Sequence, residues 1–238
     1  MGVGGRGGDS GTGAGGQART RLARGAVVRA ARVLFLERGY AATTIGAISK
    51  RSDVPTATVY RLFSSKLGIL KALLDVSIAG DEEAVSVQDR PAIRALFADP
   101  DPGGLLSGFA GVTAGIMSRV EPVYRILVSA ADSDPGAAAL LAEQTRQRDH
   151  GQVEIARSLA RVGALRPGLR ERDAADIIHA LMSPEVYRLL VGDRGWDTDR
   201  YRQWLAGALI GQLLPPPATR GECMAPGASG PATRSRPT

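Results

Sequence analysis

The chain has 238 residues, 44% hydrophobic and 23% charged, with a formal net charge of +6, enough for one sizeable core and a smaller satellite unit. No apolar run approaches the roughly 18 residues needed to span a bilayer, and the Gly-rich start lacks the apolar stretch of a secretory signal, so a cytoplasmic protein with no membrane partner is expected. One cysteine, Cys223, excludes an internal disulfide framework, and with two histidines, His150 and His179, it builds no zinc site of the usual spacing; neither metal nor cofactor is expected.

Residues 1–18 hold nine glycines and almost no apolar side chains, too little to offset the entropy of ordering them, so a disordered tail is expected. Two motif look-alikes fall in it. Gly2–Gly7 matches GxGxxG without a preceding strand, and Gly8-Asp9-Ser10-Gly11 matches a serine-protease loop without a β fold to host it.

Residues 19–66 then carry ten Lys or Arg against Glu37 and Asp53, a balance of +8. The rest of the chain is slightly acidic. Of 30 basic residues 27 are arginine and asparagine is absent, a bias that suits GC-rich coding, so the clustering carries more information than the total.

Helical periodicity runs through nearly everything between the tails. Val27, Ala31, Leu34 and Phe35 make one apolar stripe, and Gly39 follows as a stop. Thr43-Thr44 offers an N-cap for a short helix carrying Ile45 and Ile48. Ser52-Asp53 breaks it, and Pro55 suits the start of a third helix ending near Phe63. Ser64-Ser65 caps a fourth, which buries Leu70, Leu73, Leu74 and Ile78 and stops at Gly80-Asp81. Further helices are predicted at about 91–98, 103–118, 121–131, 135–163, 171–191 and 197–214, separated by Pro and Gly signals. The tail from Pro215 to Thr238 is again read as disordered. The expected fold is all-α: a tail over 1–18, a helix-turn-helix unit with its connecting helix over 19–80, a larger helical domain over 81–214 and a tail over 215–238.

Helix, short turn, helix inside a basic three-helix unit is the helix-turn-helix plan. Ile45, Ile48, Val54, Val59 and Phe63 supply a small core, leaving Thr56, Ala57, Tyr60 and Arg61 outward, where they suit a major groove about 12 Å wide. Gly39, Thr43, Thr44, Ile45, Ile48, Val54, Thr58, Val59, Tyr60, Phe63, Ser65 and Lys66 stand at their expected spacing in a pattern that resembles the DNA-binding domain of the TetR/AcrR transcriptional regulators. Three positions depart from it. Asp53 replaces the turn glycine, Pro55 replaces a Ser or Thr, and Gly46 lowers helix propensity by up to about 1 kcal/mol.

The resemblance implies a homodimeric repressor on a double-stranded palindromic operator, released by a small-molecule effector, and not an enzyme; two isolated histidines also offer no catalytic constellation. Base-edge contacts are expected from Thr56, Ala57 and Arg61, and phosphate contacts from Thr44, Thr58, Tyr60 and Lys66. Phosphate contact is expected from Arg19, Arg21 and Arg24, with Arg19 and Arg21 also placed to reach the backbone or minor groove. The stretch Ser183–Gly192 with Gly195-Trp196-Asp197 is similar to the last helices of the family, which pair as a dimer. Tyr187, Trp204, Leu205, Leu209 and Leu213 are the expected interface, although such a stripe also suits a core. Met117, Tyr124, Leu127, Gln144, Arg148 and His179 are candidates for an effector pocket. His150 is read as solvated and Cys223 as inert. The alternative functions are a ligand-independent DNA-binding or activator module and a helical enzyme.

Overall fold

A computed structural model describes residues 12–80 and 90–216. The look-alike motifs at the start, Cys223 and most of both expected tails lie outside the described residues. The described residues form helices and no strands. In order these are α1 Thr12–Ala42, α2 Ile45–Ser52, α3 Thr56–Phe63, α4 Lys66–Ala79, α5 Pro91–Phe97, α6 Pro102–Ala131, α7 Pro135–Arg161, α8 Glu171–Leu181, α9 Pro184–Tyr187 and α10 Thr198–Leu213, with a π-helical turn at Arg188–Asp193 between the last two.

Local signals in the sequence account for most of these boundaries. The stripe Val27, Ala31, Leu34 and Phe35 is buried, and Gly39 leaves the helical region at φ 77°, a conformation that costs glycine little. Thr44 caps α2 by accepting from the Ala47 amide, and Ser65 caps α4 by accepting from the Gly68 amide. Asp101 and Asp134 each take two amides at the starts of α6 and α7, with proline in the first turn.

Three expectations are corrected. Helix α1 begins at Thr12, so residues 12–18, expected in the disordered tail, are helical despite their glycines. The break expected at Glu121-Pro122 is absent, and α6 runs unbroken for 30 residues through Pro122. Proline there removes one backbone bond, while Val120 and Val123 on either side are buried and hold the helix in place. The single helix expected over 171–191 is instead interrupted: Pro184 sits in the first turn of α9, and Ser183 caps it by accepting from the Val186 amide.

Two cores result. The first joins α1–α4 to Val123, Ile126, Leu127 and Ala130 of α6 and to Ala137 and Leu140 of α7. The second packs α5, the first half of α6, the second half of α7 and α8–α10. Helix α6 therefore belongs to both cores, and the helix-turn-helix unit is packed onto the turn joining α6 to α7. Two polar links cross the same junction. Arg119 of α6 donates to the Ser77 and Ile78 carbonyls at the end of α4, at 3.1 and 3.4 Å. The Tyr40 hydroxyl donates to Asp134 at 3.3 Å. Burial, then the Asp134 charge, pushes that phenol up to about 12.

In the second core Tyr201 is fully buried against Tyr187, with ring centroids 4.8 Å apart. Its hydroxyl has no hydrogen-bond partner among the described residues, and burial raises its pKa. Tyr201→Phe keeps the ring packing and removes a buried orphan dipole, whose cost is about 1–3 kcal/mol. The variant is expected to match or exceed the wild type in urea denaturation. A loss above about 1 kcal/mol would show that the hydroxyl has a partner.

Candidate nucleic-acid interface

The most exposed helix of the N-terminal unit's turn region is α3. Its sequence buries Val59 and Phe63 and leaves Thr56, Ala57, Tyr60 and Arg61 exposed, with Thr58 partly so. Tyr60 is 51% exposed, unusual for an aromatic in a small unit. Neither Tyr60 nor Arg61 spends its polar group on a partner among the described residues. No side chain caps the start of α3 at Pro55; the Thr58 amide donates to the Pro55 carbonyl at 2.8 Å, which leaves the Thr56 and Ala57 amides to attract a phosphate.

The turn before α3 is held from inside. Asp53 adopts the left-handed conformation (φ 54°, ψ 32°), and its amide donates to the Ser49 carbonyl, so the departure from glycine is accommodated. The Ser49 hydroxyl donates to the Val54 carbonyl at 2.7 Å and accepts from the Thr56 hydroxyl at 3.1 Å. Thr56 thus both faces outward and ties α3 to α2. Ser49 was not singled out from the sequence, because its role depends on a turn geometry that spacing alone does not give.

The basic side chains divide. Arg19 and Arg21 are exposed, Arg19 donating to the Gly15 carbonyl of its own helix at 3.3 Å. Lys50 and Arg51 at the end of α2 are also exposed. Arg24 turns the other way, donating to the Leu62 carbonyl at 3.4 Å and lying 4.8 Å from the Phe63 ring centroid; it fastens α3 to α1. Lys66, expected on a phosphate, is likewise engaged within the chain. Its ammonium donates to the Tyr40 carbonyl at 2.7 Å and the Ala41 carbonyl at 3.4 Å, and lies 4.2 Å from the Tyr40 ring centroid. It closes the C-terminal end of α1, where carbonyls lack helical partners. Its pKa is lowered by burial, opposed by the Asp134 charge.

A cavity of about 1160 Å³ lies among α4, α5, α6, α7 and the start of α9. Met117, Tyr124, Gln144 and Arg148, the candidates for an effector pocket, are among the residues that line it. Leu127 does not: it is fully buried in the first core. His179 stands behind the wall, 2.8 Å from the Gln152 side-chain oxygen and 3.4 Å from an Arg148 guanidinium nitrogen. His150, read as solvated, is at the exposed edge of the lining, while Phe109 and Ile155, missed in the sequence, form part of its apolar wall.

The expected dimer residues are mostly spent within the chain. Leu205, Leu209 and Leu213 are fully buried and Tyr187 nearly so, all in the second core. Of that set Trp204 is partly exposed. The opposite stripe of α10 remains open: at Gly207 and Gly211 an added Cβ would meet nothing within 4 Å, with Ile210 and Leu214 partly exposed between and beyond them.

Residues 27–73 match the sequence profile of the family described as bacterial regulatory proteins, tetR family. The chain is 27% identical over 172 residues to an uncharacterised HTH-type transcriptional regulator, YdeS, of Bacillus subtilis (strain 168), covering 70% of this chain and 77% of that protein. Its fold is similar to NalD, the secondary repressor of the MexAB-OprM multidrug efflux pump in Pseudomonas aeruginosa, with TM-score 0.63, 21% identity, 82% of this chain and 98% of NalD. It is also similar to the ketosteroid transcriptional regulator KstR2 of Mycobacterium tuberculosis, with TM-score 0.56, 19% identity, 81% of this chain and 95% of the other.

Proposed function

We propose that this chain, a transcriptional regulator carrying the DNA-binding domain of the tetR family across residues 27–73, works in the cytoplasm as a homodimeric repressor. It leaves a palindromic operator when a small molecule enters the cavity. The observation that carries the reading is the face of α3: Thr56, Ala57, Tyr60 and Arg61 exposed together on a helix fixed to α2 by Ser49, within a segment of charge +8. A basic surface supplies affinity through phosphates, and a protruding helix supplies access to base edges.

Dimerisation is assigned to the outward stripe of α10, Gly207, Ile210, Gly211 and Leu214, beside the partly exposed Ile177 and Leu181 of α8. The flat glycine surface lets a twin helix approach closely. Ligand and DNA communicate through α4, whose Leu74 and Ile78 line the cavity and whose first residue closes α1. A ligand that favours a different position of α4 shifts the spacing of the two reading helices, which requires different affinity for the two states.

Selection from randomised duplexes tests the reading. The expected product is an inverted repeat whose half-sites lie one helical turn, about 34–36 Å, apart. Enrichment of a lone half-site, or of no sequence, would contradict it.

A further inference from the structure

The regulator reading leaves the chemistry of the small molecule open, and the inference here rests on that reading. The wall is mainly apolar, with Phe109, Ile116, Met117, Val120, Ile155 and Met182 contributing. Its charges do not cancel. Each carboxylate of the lining already has a cation: Asp75 pairs with Lys71 at 3.1 Å, Glu143 with Arg146, and Glu154 with Arg157. Arg146 is consumed in that way. Arg148 and Arg161, also in the lining, hold no carboxylate among the described residues.

Arg148 is the more confined of the two. Its Nε is shielded from solvent and has no hydrogen-bond partner among the described residues. One terminal nitrogen donates to Nε2 of His179. Accepting there leaves the His179 proton on Nδ1, which donates to the Gln152 oxygen at 2.8 Å. The nearest carboxylate to that ring, Asp149, is 3.9 Å from Nδ1 and so faces the histidine. A neutral histidine orients the guanidinium without neutralising it. A half-buried guanidinium facing an apolar cavity without an anion is an unfavourable arrangement, and a carboxylate matches its paired donors. Gln144, Arg148 and Ile155 share one face of α7, so a headgroup at Arg148 lets a tail run about 10 Å along the helix to Ile155, toward Phe109 and Met182.

We infer that the cavity takes an amphipathic carboxylate, its headgroup on Arg148 and its hydrocarbon against Met117, Ile155 and Phe109. A cationic headgroup would find every lining carboxylate among the described residues engaged. A neutral one would leave Arg148 unpaired.

The test is calorimetric titration of the full chain, without DNA, with dodecanoate and dodecyltrimethylammonium below their micellar concentrations and with dodecanol below its solubility limit. Dodecanoate is expected to bind about tenfold to a hundredfold more tightly than dodecanol, and the ammonium more weakly than either. Arg148→Gln should bring dodecanoate to the level of dodecanol and leave dodecanol unchanged; Arg161→Gln should change neither. If Arg148→Gln fails to fold, the wild-type ranking of headgroups still decides. Equal or tighter binding of dodecanol or the ammonium, binding of none of the three, or loss of the preference in Arg161→Gln would overturn the assignment. A failed operator selection with this ranking intact sinks the regulator reading alone. A reversed ranking with operator binding intact sinks the anion assignment alone.

Discussion

Glutamate at Leu209 is expected to prevent folding of the C-terminal half, while glutamate at Ile210, one residue on, leaves the chain folded and makes it monomeric. Leu209 is fully buried in the second core. A carboxylate there is an unpaired charge in an apolar interior, a loss of several kcal/mol at least from a total of about 5–15 kcal/mol. Ile210 points about 100° away and is partly exposed between Gly207 and Gly211. In a two-fold dimer its charge meets its own copy, since the same patch faces itself. Circular dichroism separates the two variants, and sedimentation at micromolar concentration reads the second. A dimeric Ile210→Glu would place the interface elsewhere.

Lys66→Ala is expected to lower thermal stability rather than remove an ion from DNA binding. Two charge-assisted bonds to the end of α1 and a ring contact are lost. Hydrogen bonds to charged groups contribute about 1.5–3 kcal/mol, and each kcal/mol moves the melting temperature of a chain this size by roughly 2–4 °C. A fall of about 3–12 °C is therefore expected, with the salt dependence of operator binding unchanged. If the logarithmic salt slope instead drops by about one ion and the melting temperature holds, the ammonium turns to a phosphate in the complex.

The helix-turn-helix unit was legible because its determinants are local. Caps at Thr44 and Ser65, the stop at Gly39, the left-handed Asp53 and the buried stripe of α1 each depend on a few neighbouring residues. What failed depends on partners distant in sequence. The burial of Leu205, Leu209 and Leu213 is set by α6, and periodicity alone cannot say whether a stripe faces its own core or a twin. Pro122 signals a break, yet packing on both sides keeps α6 whole. The carbonyls that take up Lys66 lie 25 and 26 residues away, so spacing gave no sign of them. On α6 and α7 polar and apolar positions repeat every turn, a pattern that separates Met117 and Arg148, which line the cavity, from Leu127, one face away in the first core, only once the packing of the two helices is known.

Base reading by α3 is expected to run through Arg61, and binding of Arg61→Ala to the selected operator and to a scrambled duplex over a salt series decides it. Arg61 is exposed and engaged by nothing else among the described residues, so its truncation is expected to leave the fold unchanged. The predicted result is a loss of about 1–3 kcal/mol on the operator and a much smaller loss on the scrambled duplex. An equal loss on both would make Arg61 a phosphate contact and would contradict the assignment of the reading face.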